Sequence, residues 1–232
     1  MEKLKSPFLA PAQKAIGAVV SNKWFCLFWL VFGCAYATVF GLLYVEDMYT
    51  EGLRNYSIFG VLIEPTMRAT ASVIGKTYIW GFRFWGLVQS IALAPNILYA
   101  YRRYIYKSKA GIACVIAAVC CILINNYVPS TEEFGLQLVV HWGTALLFAI
   151  LSSASFGMLM LRFAKTSKKF LVSFVAFVGM LASMIVLLII FGKSGAIESI
   201  PLWGFYIFLF LVNYTGFYKD SLPAANLKEV LS

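Results

Sequence analysis

Few side chains in this sequence can hold or move a proton inside long apolar runs, so those few limit the chemistry open to it. The single histidine, His141, lies in one such run. Gln137, His141, Thr144, Ser152 and Ser155 recur there at steps of four, three, eight and three, which keeps them near one face of a helix. Just upstream, Ser130-Thr131-Glu132-Glu133 offers two carboxylates. A carboxylate beside an imidazole fixes its tautomer and raises its pKa, so His141 with Glu132 or Glu133 is a candidate acid/base pair. A second reading makes His141 a buried donor tying its helix to a neighbour, with both glutamates simply solvated.

A second apolar run holds Arg83, Gln89, Ser90, Pro95 and Asn96. Arg83 lies near one end of it, shallow enough to snorkel toward phosphates or to hold a lipid phosphate by bidentate hydrogen bonds. Pro95 should free the carbonyl of Ile91. Gln89 and Asn96, seven apart and so on one face, could satisfy such groups, a structural use favoured over a binding one. Glu198 stands at the start of a further run beside Ser199 and Pro201, where an acid and a first-turn proline are ordinary helix-start signals. Gln89, Asn96, Gln137 and Glu198 join Arg83 as candidate substrate-contacting groups. Metal-ligand spacing, phosphate-binding glycine loops and serine-nucleophile elbows are absent from the sequence, so no metal or cofactor is expected.

The elements that must position these groups follow from composition. Of 232 residues 61% are hydrophobic and only 12% charged, against about 25% charged in an average soluble domain. Mean hydropathy is +0.82. Such a chain cannot build the polar shell of a soluble enzyme, so its surface must face lipid. Six stretches approach the roughly 20 apolar residues a spanning helix needs: 24–45, 78–101, 111–128, 136–161, 170–192 and 200–218. The expected fold is therefore all-α, a single polytopic membrane domain over 1–232. The first stretch is too long, and too poorly followed by small residues, for a cleaved signal peptide.

Charge tests the count. Six spans place fourteen of the nineteen bases on one side, with three of the ten acids. That bias predicts both termini in the cytoplasm, and it reads the net charge of +9 as an orientation signal and not as a nucleic-acid surface. The loop 46–77 then falls on the lumenal side and carries an N-glycosylation sequon at Asn55-Tyr56-Ser57. Asn213-Tyr214-Thr215 falls inside the sixth span and is unusable. Within the loop, 58–63 and 69–74 are apolar enough for short interfacial helices. Gly33, Ala37 and Gly41, and Gly179 with Ser183, are expected to form helix-packing faces. The five cysteines all lie in apolar runs, and no disulfide is expected.

Tyr78-Ile79-Trp80 followed by Arg83, then Ala94-Pro95-Asn96 and Tyr101, resembles the second-helix pattern of the Frag/DRAM superfamily. The similarity is greatest to the branch of the second post-GPI-attachment-to-proteins factor, where Tyr-Val-Trp-Arg precedes Ala-Pro-Arg. Tyr127-Val128-Pro129-Ser130-Thr131-Glu132-Glu133-Phe134 resembles that branch's Tyr-Val-Ser-Ser-Ser-Glu-Asp-Phe, and His141 with Phe148 fits the superfamily's His-x6-Phe. Ala196-Ile197-Glu198 fits its acid before the final helix. Two positions depart: Asn96 replaces the arginine after proline, and the arginine after Trp80 is displaced to Arg83. The resemblance covers the chain from Tyr78 onward and implies a Golgi or ER membrane protein of GPI-anchor lipid remodelling, with membrane lipids, lyso-GPI and an acyl donor as partners. Related branches imply the alternative, a non-enzymatic lipid-binding or partner-regulating protein of lysosomal or endosomal membranes. A small transporter or channel is disfavoured, because the spans lack a charged relay and inverted-repeat symmetry.

Overall fold

The computed structural model describes residues 17–43, 56–58, 61–63, 70–128, 135–191 and 195–222. It is a helical bundle with one small hairpin. The helices are α1 (Lys23–Gly41), α2 (Ala71–Thr77), α3 (Ile79–Arg103), α4 (Lys109–Tyr127), α5 (Leu136–Ala164), α6 (Lys168–Phe191) and α7 (Gly195–Tyr214). A short 3-10 turn, Lys219–Ser221, follows. Five helices, α1 and α4 to α7, are long and apolar enough to cross a membrane.

Local chemistry sets the helix starts. Asn22 accepts a hydrogen bond from the Phe25 N–H at 3.0 Å, Thr70 caps α2 and Ser108 caps α4, each side chain filling one of the donors a helix start leaves open. The strands β1 (Tyr56–Ile58) and β2 (Val61–Ile63) pair antiparallel with Tyr56 opposite Ile63. This corrects the expected interfacial helix over 58–63. Ile58, Val61 and Ile63 are β-branched, lose rotamer freedom in a helix and suit a strand. The second expected helix in this loop is present as α2. The start of α7 is corrected too: it begins at Gly195, so Pro201 lies inside the helix, while Glu198 does occupy its first turn.

The central element is α3, which packs against α1, α2, α4 and α7. At 25 residues and 1.5 Å per residue it is about 37 Å long. Its polar content sets it apart from the five apolar helices, and its long buried face holds Gln89, Ser90 and Asn96 among Val88, Ala92, Leu93 and Ile97. An aromatic-rich core, including Phe156, Phe170, Phe177, Phe205 and Tyr206, fills the bundle toward the end where α3 and α5 finish. A small separate cluster of Phe40, Ile74 and Phe82 closes the other end under α2.

Close helix approach comes only in part from the glycines expected. Gly33 does pack, since a Cβ there would meet the Ala92 Cβ at 2.5 Å and the Tyr206 hydroxyl at 2.6 Å. Gly41 and Gly179 have open space where a Cβ would go, and Ser183 is exposed, donating to the Gly179 carbonyl of its own helix. The close approach of α6 to α7 is made instead by Gly204, against the Met180 side chain.

Candidate functional site

The last turn of α4 gathers the two groups in which sequence reasoning placed chemistry. Four consecutive residues each hold part of Arg83 or His141 or the backbone beside them. Asn125 Nδ2 donates to the His141 carbonyl at 2.7 Å. Asn126 Nδ2 donates to the Phe82 carbonyl at 3.1 Å, just before Arg83. The Tyr127 ring lies 5.1 Å from the Arg83 guanidinium carbon, and the Val128 carbonyl is 2.7 Å from His141 Nδ1. The approach of Asn126 depends on Gly86, because a Cβ there would collide with the Asn126 amide.

That geometry fixes the chemical state of His141. A carbonyl oxygen only accepts, so Nδ1 carries a proton, and in the neutral ring it is Nε2 that holds the lone pair a general base uses. The side chain is buried beside Phe82. Arg83 is held differently. Its guanidinium lies between the rings of Trp80, at 4.9 Å, and Tyr127, both largely exposed. Its Nε is buried and has no hydrogen-bond partner among the described residues. A guanidinium offers N–H donors that suit a phosphate oxygen, and the unmatched Nε leaves one of them open.

Roughly two to four turns further along α3 the polar groups are consumed internally. Gln89, fully buried, donates from Nε2 to the Gly33 carbonyl at 3.3 Å and accepts from the Tyr206 hydroxyl. Asn96, also fully buried, donates from Nδ2 to the Cys26 and Ala92 carbonyls, both at 2.8 Å. Its Oδ1 accepts from the Tyr214 hydroxyl at 2.6 Å, and its backbone carbonyl from Asn213 Nδ2 at 2.9 Å. These bonds tie α3 to α1 and α7. They reach across to neighbouring helices and to Ala92, not to the Ile91 carbonyl that Pro95 was expected to free. Beside Gln89, Ser90 and Ser152 border a gap of about 10 Å³, room for no more than about one water.

A third polar cluster ties the far end. Tyr101 donates to the Ser155 carbonyl at 2.7 Å, and Ser155 Oγ donates to the Gly111 carbonyl at 3.0 Å. Arg103 donates to the carbonyls of Asn213 and Thr215, and Tyr104 to that of Val212 at 3.2 Å.

The structure thus brings Arg83 and His141 under one clamp and places Gln89 and Asn96 in interhelical bonds. Of the expected polar face of α5, His141, Ser152 and Ser155 are buried, whereas Gln137 is exposed. Glu198 is half-buried in the first turn of α7. Glu132, Glu133 and the sequon asparagine Asn55 lie outside the described residues. Asn213, of the second sequon, is fully buried. Sequence reasoning missed Asn125 and Asn126. Two adjacent amides at the end of an apolar span were the signal, since such groups need partners at that depth.

Fold and clusters together define a helical multi-pass membrane protein whose buried polar groups mainly join its helices, with an arginine and a histidine held at one end. No protein-family model matches the chain, and neither a curated protein nor a solved structure matches it.

Proposed function

We propose that the protein takes part in GPI-anchor lipid remodelling in Golgi or ER membranes, supporting or performing the reacylation of lyso-GPI. The observation that carries this reading is the shared clamp. Trp80, Arg83, Tyr127, Val128 and His141, which carry much of the Frag/DRAM resemblance, meet at one end of the bundle. In this reading Arg83 holds the lysolipid phosphate. His141 Nε2 takes the proton from the lysolipid hydroxyl as that oxygen attacks the acyl carbonyl of the donor, and the imidazolium returns it to the donor's departing alcohol or thiol as the old acyl bond breaks. Val128 supplies the orienting contact at Nδ1, and Glu132 and Glu133 follow it in the sequence. Six spans, with α3 as the second, put both termini in the cytoplasm and this end in the lumen.

The experiment is complementation of cells lacking the protein, followed by mass spectrometry of GPI-anchor lipids. His141→Ala should leave anchors lyso or unsaturated although the protein is expressed and folded. Complete remodelling by that variant removes His141 from the chemistry. A second reading, a non-enzymatic lipid-binding or partner-regulating protein of lysosomes or endosomes, is favoured by the small size of the gap beside Gln89, about 10 Å³. Lysosomal residence of the tagged protein with normal GPI lipids would select it.

A further inference from the structure

At the opposite end of the same two helices, about 30 Å from Arg83 and His141 by helix rise, lies a cavity of about 350 Å³. Its lining is Tyr104, Ile105, Tyr106, Arg162, Phe163 and Thr166. The aromatic walls are fixed by their neighbours. Tyr106 packs edge-on against Tyr101 at 4.9 Å, and Phe163 against Tyr104 at 5.3 Å. Arg162 is exposed at the rim, and Arg102, Lys107, Lys165 and Lys168 are exposed around it. Asp220, the acid described at this end, is engaged by Lys169 at 2.9 Å. The negative helix ends of α3 and α5 are therefore more than offset, and the opening favours an anion that also has an apolar part.

The backbone supports the same reading independently. Helix α3 ends in a paired turn in which the Tyr106 N–H bonds to the Tyr101 carbonyl at 2.7 Å and the Ile105 N–H to that of Arg102 at 3.1 Å. Such turns put their penultimate residue in the left-handed region, where glycine is usual. Here the residue is Ile105 at φ 51°, a β-branched side chain in a conformation it disfavours. Its side chain is 53% exposed, so no burial in the protein offsets the strain. What the isoleucine provides is an apolar wall to the cavity, and strain held at such a place points to a ligand.

We propose that this cavity binds an anionic glycerophospholipid, its phosphate on Arg162 and its glycerol and first methylenes against Ile105, Tyr106 and Phe163. The site is separate from the one proposed for remodelling, and its test needs no turnover. Full-length protein in detergent would be titrated with phosphatidic acid, phosphatidylcholine or inorganic phosphate and followed by native mass spectrometry. Phosphatidic acid should bind in preference to phosphatidylcholine. Arg162→Gln should weaken it about ten-fold, as loss of a bidentate charged pair does. Thr166→Trp, which fills the cavity without changing charge, should weaken it comparably. Lys169→Gln, which removes the same charge outside the cavity, should leave it nearly unchanged. Ile105→Gly should raise the unfolding temperature while loosening the lipid, opposite signs that a purely structural residue would not give. Equal weakening by Arg162→Gln and Lys169→Gln would overturn the proposal, leaving only general attraction to a basic surface. Displacement of the lipid by an equal concentration of inorganic phosphate would overturn the lipid identity and assign the site to free phosphate.

Discussion

Two stretches of the single helix α3 use polar residues in opposite ways. In its middle, Gln89 and Asn96 spend their donors and acceptors on Gly33, Cys26, Ala92, Tyr206 and Tyr214. At its start, Arg83 lies against two aromatic rings, and an N–H stays buried and unmatched among the described residues. Both arrangements are costly in hydrocarbon, where polar groups need partners. The middle meets that cost with protein and so serves cohesion. The start leaves a cation for something else to meet. Depth in an apolar helix therefore does not identify a functional group; what its hydrogen bonds are used for does.

Substitutions in the two stretches should separate accordingly. The largest loss of stability is expected for Asn96→Ala, which strands the Tyr214 hydroxyl and removes the bond to the Cys26 carbonyl together, and should cost roughly 3 kcal/mol. Reversible unfolding of the detergent-solubilised protein measures it, and a negligible change would mean the middle is no more cohesive than the start. Gly86→Ala comes next, at roughly 2 kcal/mol for overpacking against Asn126. It should also shift Tyr127 and Val128, so it should impair lipid remodelling more than its stability loss explains. Arg83→Gln should cost less than about 1 kcal/mol, the scale of a half-exposed cation–π contact, yet abolish lysolipid handling in the complementation assay. If it destabilises as much as Asn96→Ala, the contrast between the stretches collapses.

The smallest effect belongs to the exposed Lys169–Asp220 pair. The lysine's hydrogen bond and charge hold the Asp220 carboxyl below the usual carboxylate range. A depressed acid adds stability above its unfolded pKa and loses it as pH falls through the folded one. The tie should hold at neutral pH and release in acid, with little change in stability because both partners are solvated. Carboxyl NMR should show the Asp220 midpoint rising in Lys169→Gln.

The contrast within α3 also marks where sequence reasoning could reach. Long apolar runs announced the helices, because hydrocarbon over about 20 residues has few other uses. Arg83, Asn96 and His141 stood out for the converse reason, as polar groups in apolar surroundings. Their partners did not stand out. The acceptors are the carbonyls of Gly33, Cys26, Phe82, Val128 and His141, and a carbonyl is present at every residue. No pattern of side chains identifies which one a buried amide will find. The strand pair at 56–63 was hidden by a related ambiguity, since a short apolar run carries no period that separates helix from strand. Gly86 and Gly204 were equally silent, because small residues mark a close approach only once the opposing side chain is known.

The bonds of Asn96 bear on how the chain is made. Its partners Asn213 and Tyr214 follow it by 117 and 118 residues. During synthesis α3 therefore emerges long before the helix that satisfies it has left the ribosome. Until then the amide has only Cys26 and its own helix to turn to. A chain cut short before α7 would leave the Asn96 Oδ1 without the Tyr214 hydroxyl that meets it. Completion of the last helix is thus what converts α3 from a poorly anchored segment into the axis of the bundle.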